Sequence, residues 1–139
     1  MKKQIIIALA IFGLLLGSEC LAYRPAVIGG IRDGVALGLM AENDLTNGAT
    51  LRFGFEANTS NTPGILFIGG KWFLTNIRGG SPMYLSGGLV GYLGDSHSTA
   101  GPYISVIFER LLDVAPMFLE VGIDVVKTGR LQFQVGYFF

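Results

Sequence analysis

The chain has 139 residues, ten basic and ten acidic side chains, and a formal net charge of +0. This balance argues against nucleic acid as a partner, and a single histidine and a single cysteine argue against a zinc or haem site. The length corresponds to one domain, for which we expect no cofactor.

The first 22 residues resemble a secretory signal peptide. Residues 1–3 form a short basic segment, and Ile5 to Leu16 is an apolar run too short to span a bilayer comfortably. Small residues of the kind found at a cleavage site precede Ala22. Cleavage after Ala22 would remove 22 of 139 residues, leaving 117 and no cysteine, hence no disulfide. Cys20 leaves a lipoprotein open as an alternative, although Glu19 before it is larger than such sites prefer. An uncleaved membrane anchor is the third alternative.

Residues 23–139 are predicted to form a single β-barrel domain, because apolar and polar residues alternate with a period of two. Turn residues separate eight segments of this kind. The predicted strands are Ala26 to Ile31, Val35 to Ala41, Ala49 to Ala57, Gly64 to Thr75, Pro82 to Leu93, Gly101 to Leu111, Pro116 to Val126 and Arg130 to Phe139.

The seventh segment has the clearest alternation. One face carries only apolar side chains from Met117 to Val125, whereas Glu120 and Asp124 lie on the other. A charge facing the middle of a bilayer costs several kcal/mol, so these carboxylates are predicted to point inward. Gly87, Gly88 and Gly91 weaken the contrast in the fifth segment, whose orientation the sequence leaves undecided.

The same alternation places a set of polar side chains in the interior of the predicted barrel. They number three cations, four carboxylates and two amides, and such a near-balanced set should pair in a medium of low dielectric. The predicted interior residues are Arg52, Glu56, Lys71, Glu109, Glu120, Asp124, Arg130, Gln132 and Gln134. Phe73 is predicted to share the inward face with Lys71. An eight-stranded interior is just wide enough to be filled by side chains, and a narrow path for water or ions is the alternative.

The exterior is expected to carry two further features. Trp72, near the end of the fourth segment, suits an interfacial position with its ring in lipid and its N–H toward the headgroups. The last segment ends on an outward apolar row formed by Leu131, Phe133, Val135, Tyr137 and Phe139.

This ending resembles the C-terminal signature of bacterial outer-membrane barrels, which finish on an aromatic residue with another two positions earlier. Tyr137 and Phe139 match it, and the last third of the chain as a whole is similar to small eight-stranded barrels of the OmpA/OmpX-like class. The resemblance implies an all-β, antiparallel, up-and-down transmembrane barrel in the outer membrane. It also implies that Phe133, Val135, Tyr137 and Phe139 form a signal for the outer-membrane barrel assembly machinery. Outer-membrane lipid is the other implied partner, and the oligomeric state is left open.

No pattern of catalytic residues stands out. The Cα atoms of Glu120 and Asp124 would lie about 13 Å apart on one strand, farther than the carboxylate pairs of glycoside hydrolases. His97, beside Asp95 and Ser98, falls in a loop that gives a triad no scaffold. We therefore predict a structural or interaction role without catalysis. The alternative is a soluble periplasmic barrel that binds a small apolar ligand, in which the apolar rows would line the cavity.

Overall fold

The structure, a computed structural model, describes residues 3–7, 10, 23–78, 80–95 and 97–139. The predicted cleavage site after Ala22 and Cys20 therefore lie outside the described residues. Eight strands and one short 3-10 turn follow in chain order: β1 (Arg24–Arg32), β2 (Val35–Asp44), β3 (Thr50–Asn58), β4 (Gly64–Ile77), β5 (Ser81–Leu93), β6 (Ser98–Glu109), the turn Leu111–Asp113, β7 (Met117–Val126) and β8 (Thr128–Phe138).

Each strand pairs with its sequence neighbour, and β1 pairs with β8 to close the sheet into a barrel. All eight pairings are antiparallel, as the sequence predicted, so the fold class is confirmed. Because Ala26 lies opposite Phe138, the start of β1 and the end of β8 meet at one end of the barrel, which we call the near end. The near end also carries the connections 45–49, 78–80 and 110–116. The far end carries the connections 33–34, 59–63, 94–97 and 127.

Alternation separates the side chains into an interior set and an exterior set. The interior holds both charged residues and an apolar cluster that includes Ile28, Ile65 and Phe67. The exterior is almost entirely apolar at mid-barrel. Its most exposed members include Leu37, Ile68, Leu89, Ile104, Ile123 and Phe133. In the fifth strand, Ser86, Val90 and Tyr92 are buried inside and Leu89 is exposed outside, which settles the orientation that the sequence left undecided.

Two inward glycines make room for aromatic rings from the neighbouring strand. A Cβ atom on Gly54 would lie 2.5 Å from the ring of Phe67, which is its partner across the β3–β4 ladder. The ring of Phe118 likewise covers Gly136 across the β7–β8 ladder. These rings fill the interior at positions where the sequence alone shows only small residues.

Strands β4 and β5 extend beyond the barrel wall at the near end. The ladder with β3 stops at Lys71 and the ladder with β6 starts at Met83, so residues 72–82 form a two-stranded arm. A register shift between Phe73 and Thr75 marks a β-bulge in this arm. Phe73 pairs with Tyr84 before this shift and so keeps the face of Lys71, as predicted, but it lies beyond the barrel wall: its side chain is 54% exposed, and its ring packs edge to face on that of Tyr84.

Within the described residues, no helix is long and apolar enough to cross a membrane.

Candidate functional site

The interior of the barrel contains two hydrogen-bonded clusters of charged side chains. We call the one toward the chain ends the near network; it contains Arg24, Glu42, Arg52, Lys71, Ser86, Ser105, Glu109 and Glu120. The other is the far network; it contains Arg32, Glu56, Tyr92, Asp124, Gln132 and Gln134. Within the described part of the chain, no ion pair or hydrogen bond joins the two.

Glu42 lies at the centre of the near network. Its carboxylate accepts from the guanidinium groups of Arg24 and Arg52, each at 3.0 Å, and from the ammonium of Lys71 at 2.7 Å. Lys71 also donates to Glu109 at 2.7 Å. The aliphatic and aromatic surroundings include Phe138, whose ring centroid lies 3.9 Å from the Arg24 guanidinium carbon. Charged groups from β1, β2, β3, β4 and β6 thus meet around one carboxylate.

Arg52 connects Glu42 to the middle of the barrel. Its two terminal nitrogens donate to the two carboxylate oxygens of Glu120 at 3.0 and 2.8 Å, a bidentate arrangement across the interior from β3 to β7. Arg52 donates also to Ser86, and Ser105 donates to Glu120 at 2.6 Å. Arg52 and Glu120 are almost fully buried, so their charges depend on each other for compensation.

Arg32 organises the far network in the same way. Its guanidinium makes a bidentate contact with Asp124, at 2.7 and 3.0 Å, and a third hydrogen bond to Glu56 at 2.8 Å. The hydroxyl of Tyr92 donates to Asp124, and the amide of Gln134 donates to Glu56. One cation from β1 therefore holds carboxylates from β3 and β7 together inside the barrel.

Gln132 and Arg130 lie closer to the far opening of the barrel. Gln132 donates to Gln134 at 2.8 Å. Arg130 donates to Asp33 in the β1–β2 turn at 2.7 Å, and its guanidinium carbon lies 4.5 Å from the ring centroid of Tyr92.

Aromatic rings separate the two networks. Phe67 and Tyr103 meet edge to face with centroids 6.3 Å apart. The Arg32 guanidinium carbon lies 5.1 Å from the Phe67 centroid, and that of Arg52 lies 5.9 Å from the same ring. These rings lie between two sets of paired charges, whereas the hydroxyl of Tyr103 and the amide oxygen of Gln132 are buried without a hydrogen-bond partner in the part of the chain that the structure describes.

The structure places all nine polar residues of the predicted interior set inside the barrel. Seven of them are buried, whereas Glu109 and Arg130 lie near the near and far openings, with side chains 14% and 22% exposed. Sequence reasoning missed Arg32 and Glu42, which it assigned to turns. Both belong to strands, are almost fully buried and organise their networks. The period-two pattern, continued from Ile28 to Arg32 and from Met40 to Glu42, would have located them.

The residues predicted for the exterior lie on the outer surface. Phe133, Val135, Tyr137 and Phe139 are exposed in one row along β8 and its end. The strand itself ends at Phe138, and the backbone N–H of Phe139 donates to the carbonyl of Pro25 in β1 at 3.2 Å. Trp72 is exposed at the base of the arm, so it lies at the rim of the barrel wall.

Outward aromatic side chains concentrate near one end of the barrel. Those toward the near end are Tyr23, Phe53, Trp72, Phe108, Tyr137 and Phe139. Toward the far end the exposed outer side chains are mostly aliphatic, among them Ile31, Val35, Val125 and Leu131, and Phe133 lies opposite Ile31. The ring of Tyr23 packs edge to face on Phe53, with centroids 5.5 Å apart. Tyr23, the residue directly before β1, therefore also lies against this outer surface.

The buried carboxylates are arranged for pairing. Glu120 and Asp124 belong to different networks, and each is held by its own arginine, so they do not face a common space. Among the described residues, no three or more histidine, cysteine, aspartate or glutamate side chains come together in a way that could hold a metal ion. His97 is exposed in the far-end connection 94–97.

Comparison of the chain with protein-family models, with curated proteins and with solved structures found no match.

Proposed function

We propose that this chain is a small outer-membrane β-barrel protein with a structural or interaction role and no catalytic activity. One observation carries the proposal: the charged side chains are paired inside the barrel, next to an apolar cluster, and apolar side chains cover the exterior. That distribution is the reverse of a water-soluble protein and suits a solvent of lipid. Closure of the sheet fits the same setting, because a lipid-exposed backbone must satisfy all its hydrogen bonds internally.

The proposal includes a route to the membrane. Export would use the leader that ends near Ala22, and outer-membrane lipid and the barrel assembly machinery would be the partners. The exposed row Phe133, Val135, Tyr137 and Phe139 lies on the strand that closes the barrel, where the machinery would read it. An even number of strands puts both chain ends on one side, which in this proposal is the periplasm.

The soluble alternative required apolar rows on the inside. The structure instead puts Arg32, Arg52 and Glu120 among the largest fully buried side chains of the interior and leaves Leu37 and Leu131 exposed outside. A small apolar ligand would have to displace ion pairs that have no other partner in low dielectric, at a cost of several kcal/mol. This geometry supports the membrane proposal over ligand binding.

The paired interior also bears on conduction. Arg52 and Glu120 meet across the barrel, and the Phe67–Tyr103 layer lies between the networks. We therefore expect the purified protein to give no discrete conductance steps in a planar bilayer. Reproducible single-channel steps would favour the narrow polar path instead.

Fractionation tests the location. Cells that express the chain should retain it in the outer-membrane fraction after carbonate and high-salt washes, and detergent should release it. The folded band should migrate differently on a gel before and after boiling. Recovery of folded protein in the soluble periplasmic fraction would refute the proposal.

A further inference from the structure

The two ends of the barrel present different chemistry to their surroundings. The far-end connections contain only polar residues, glycine and proline: Asp33-Gly34, residues 59–63, residues 94–97 and Lys127. At the near end, Leu45 is 43% exposed in the β2–β3 connection, and Leu112 is 84% exposed in the β6–β7 connection. Among the connections, exposed apolar side chains are thus confined to the near end, where β1 begins and β8 ends.

The β6–β7 connection, residues 110–116, presents Leu112 in a fixed conformation. Arg110, Leu112 and Asp113 all have positive φ, at 56°, 54° and 62°. Non-glycine residues pay for such a backbone, and clusters of them commonly mark functional segments. Backbone hydrogen bonds from Asp113 to Arg110 (3.1 Å) and from Val114 to Leu111 (3.0 Å) hold the turn. The strained backbone therefore holds the side chain of Leu112 away from the rest of the protein.

Charge at this end points to the kind of partner. Arg110 and Arg78, at the start of the β6–β7 connection and in the β4–β5 connection, are exposed and form no ion pair within the described part of the chain. By contrast Arg24, at the same end, is paired with Glu42. Each unpaired arginine has exposed apolar residues nearby in sequence, Leu112 beside Arg110 and Leu74 before Arg78. An apolar side chain next to a free guanidinium matches the layer of a membrane where acyl chains meet phosphates.

We propose that the β6–β7 connection is a lipid anchor: Leu112 enters the boundary between headgroups and acyl chains, and Arg110 binds a lipid phosphate. The inference rests on the proposed membrane location and names a second contact with the bilayer beyond the strands. Continuity supports lipid as the occupant. The outer rows of β6 and β7 lead through the apolar Phe108 and Met117 directly into this connection. Trp72 lies at the same end.

Single-cysteine labelling tests the anchor. In a Cys20→Ser background each variant carries one cysteine, to which an environment-sensitive fluorophore is attached. The variants are Leu112→Cys, Val121→Cys as a control on the outer row of β7, and His97→Cys as a control in a far-end connection. Each is reconstituted in phosphatidylcholine liposomes with bromines placed high on the acyl chains. A heat-modifiable band confirms that each variant is folded.

We expect bromines to quench the label at Leu112→Cys at least half as strongly as at Val121→Cys, and several-fold more strongly than at His97→Cys. The anchor would be overturned if the label at Val121→Cys were quenched but the label at Leu112→Cys were quenched no more than that at His97→Cys. The proposed membrane location would not be affected by that result. Absence of quenching at Val121→Cys would overturn both.

The phosphate contact has its own measurement. Adding phosphatidylglycerol should increase quenching at Leu112→Cys, and Arg110→Gln should abolish that increase. An increase that survives Arg110→Gln would show that Arg110 does not bind the phosphate.

Discussion

Replacement of Arg52 by methionine tests whether the interior is a filled, low-dielectric medium. The substitution keeps a long unbranched side chain but removes the bidentate contact with Glu120. Glu42 keeps Lys71 and Arg24 as partners, whereas Glu120 keeps, among the residues that the structure describes, only the hydroxyl of Ser105 as a hydrogen-bond donor. A buried charge left without its partner costs about 3–5 kcal/mol. If the lumen were wide and wet, the same pair would behave as a surface ion pair and contribute about 0–1 kcal/mol.

Two further variants calibrate that loss. Arg130→Met removes an ion pair whose side chains are 22% and 31% exposed, so it should cost no more than about 1 kcal/mol. The double variant Arg52→Met/Glu120→Gln removes both charges and lets the amide keep the contact with Ser105. It should recover at least about 2 kcal/mol relative to Arg52→Met, because no isolated charge is left.

Urea unfolding in detergent micelles, followed by the heat-modifiable band, measures all three variants. At an m-value of about 2 kcal/mol/M, a loss of about 4 kcal/mol lowers the midpoint by about 2 M. An Arg52→Met midpoint within about 0.5 M of the parent, with no recovery in the double variant, would refute the filled interior and favour a hydrated path.

Two other predictions concern the exterior and the closing strand. Val121→Arg places a charge on the outer face of β7, which we propose faces lipid, and should cost about 2–4 kcal/mol in liposomes. His97→Arg adds the same charge to an exposed connection and should fold in parental yield. Equal yields would mean that the outer row does not face lipid. Deletion of Phe139 should lower the folded band in cells but not on refolding in micelles, because it removes an exposed residue of the proposed assembly signal. Phe138→Ala should lower stability in both settings by about 3–5 kcal/mol, because its ring is buried against Phe118 with centroids 4.9 Å apart. An unchanged cellular band after the deletion would remove Phe139 from the assembly signal.

Gly122 illustrates why such controls need the structure. The sequence alone predicts that Gly122→Ala, next to Val121, is a mild change. A Cβ atom there would collide with the carbonyl oxygen of Ile104 and with Ser105 on β6. The backbones of β6 and β7 approach each other so closely at Gly122 that an alanine there would force the two strands apart. His97→Arg, which adds a charge in an exposed connection, is therefore the better control for Val121→Arg.

The sequence predicted the eight strands and most of their orientations because the same alternation of apolar outward and polar inward residues repeats along the chain. Where the contrast is weak the prediction was incomplete, as at Gly87 and Gly88, whose lack of a side chain gives neither face a signal. At Phe73 the alternation held, but the residue pattern could not show that β4 continues beyond the barrel wall, where the inward face is open and the side chain is exposed. The sequence prediction was wrong at Arg32, which it left outside the first strand because Asp33-Gly34 is a strong turn signal. The strand continues through Arg32, directly up to that turn.

Partner choice in the interior could not be read from the chain at all. Arg52 and Glu120 are 68 positions apart, and Arg32 and Asp124 are 92 apart. Which carboxylate meets which guanidinium depends on how far each strand is shifted when the sheet closes, and on the tilt that closure imposes. Composition gives only the near balance of charge from which pairing is expected.

The same dependence gives the ion pairs a role in specifying the fold. Arg32 and Arg52 each join strands that are not neighbours in the sheet: Arg32 joins β1 to β3 and β7, and Arg52 joins β3 to β7. If β7 slipped by one residue, Glu120 and Asp124 would turn from the interior to the outer face, and both arginines would lose their partners. In lipid that error carries the cost of exposed charges outside and unpaired charges inside. A barrel with a wholly apolar interior would lack this penalty, so the buried charges favour a single register even where they add little to its stability.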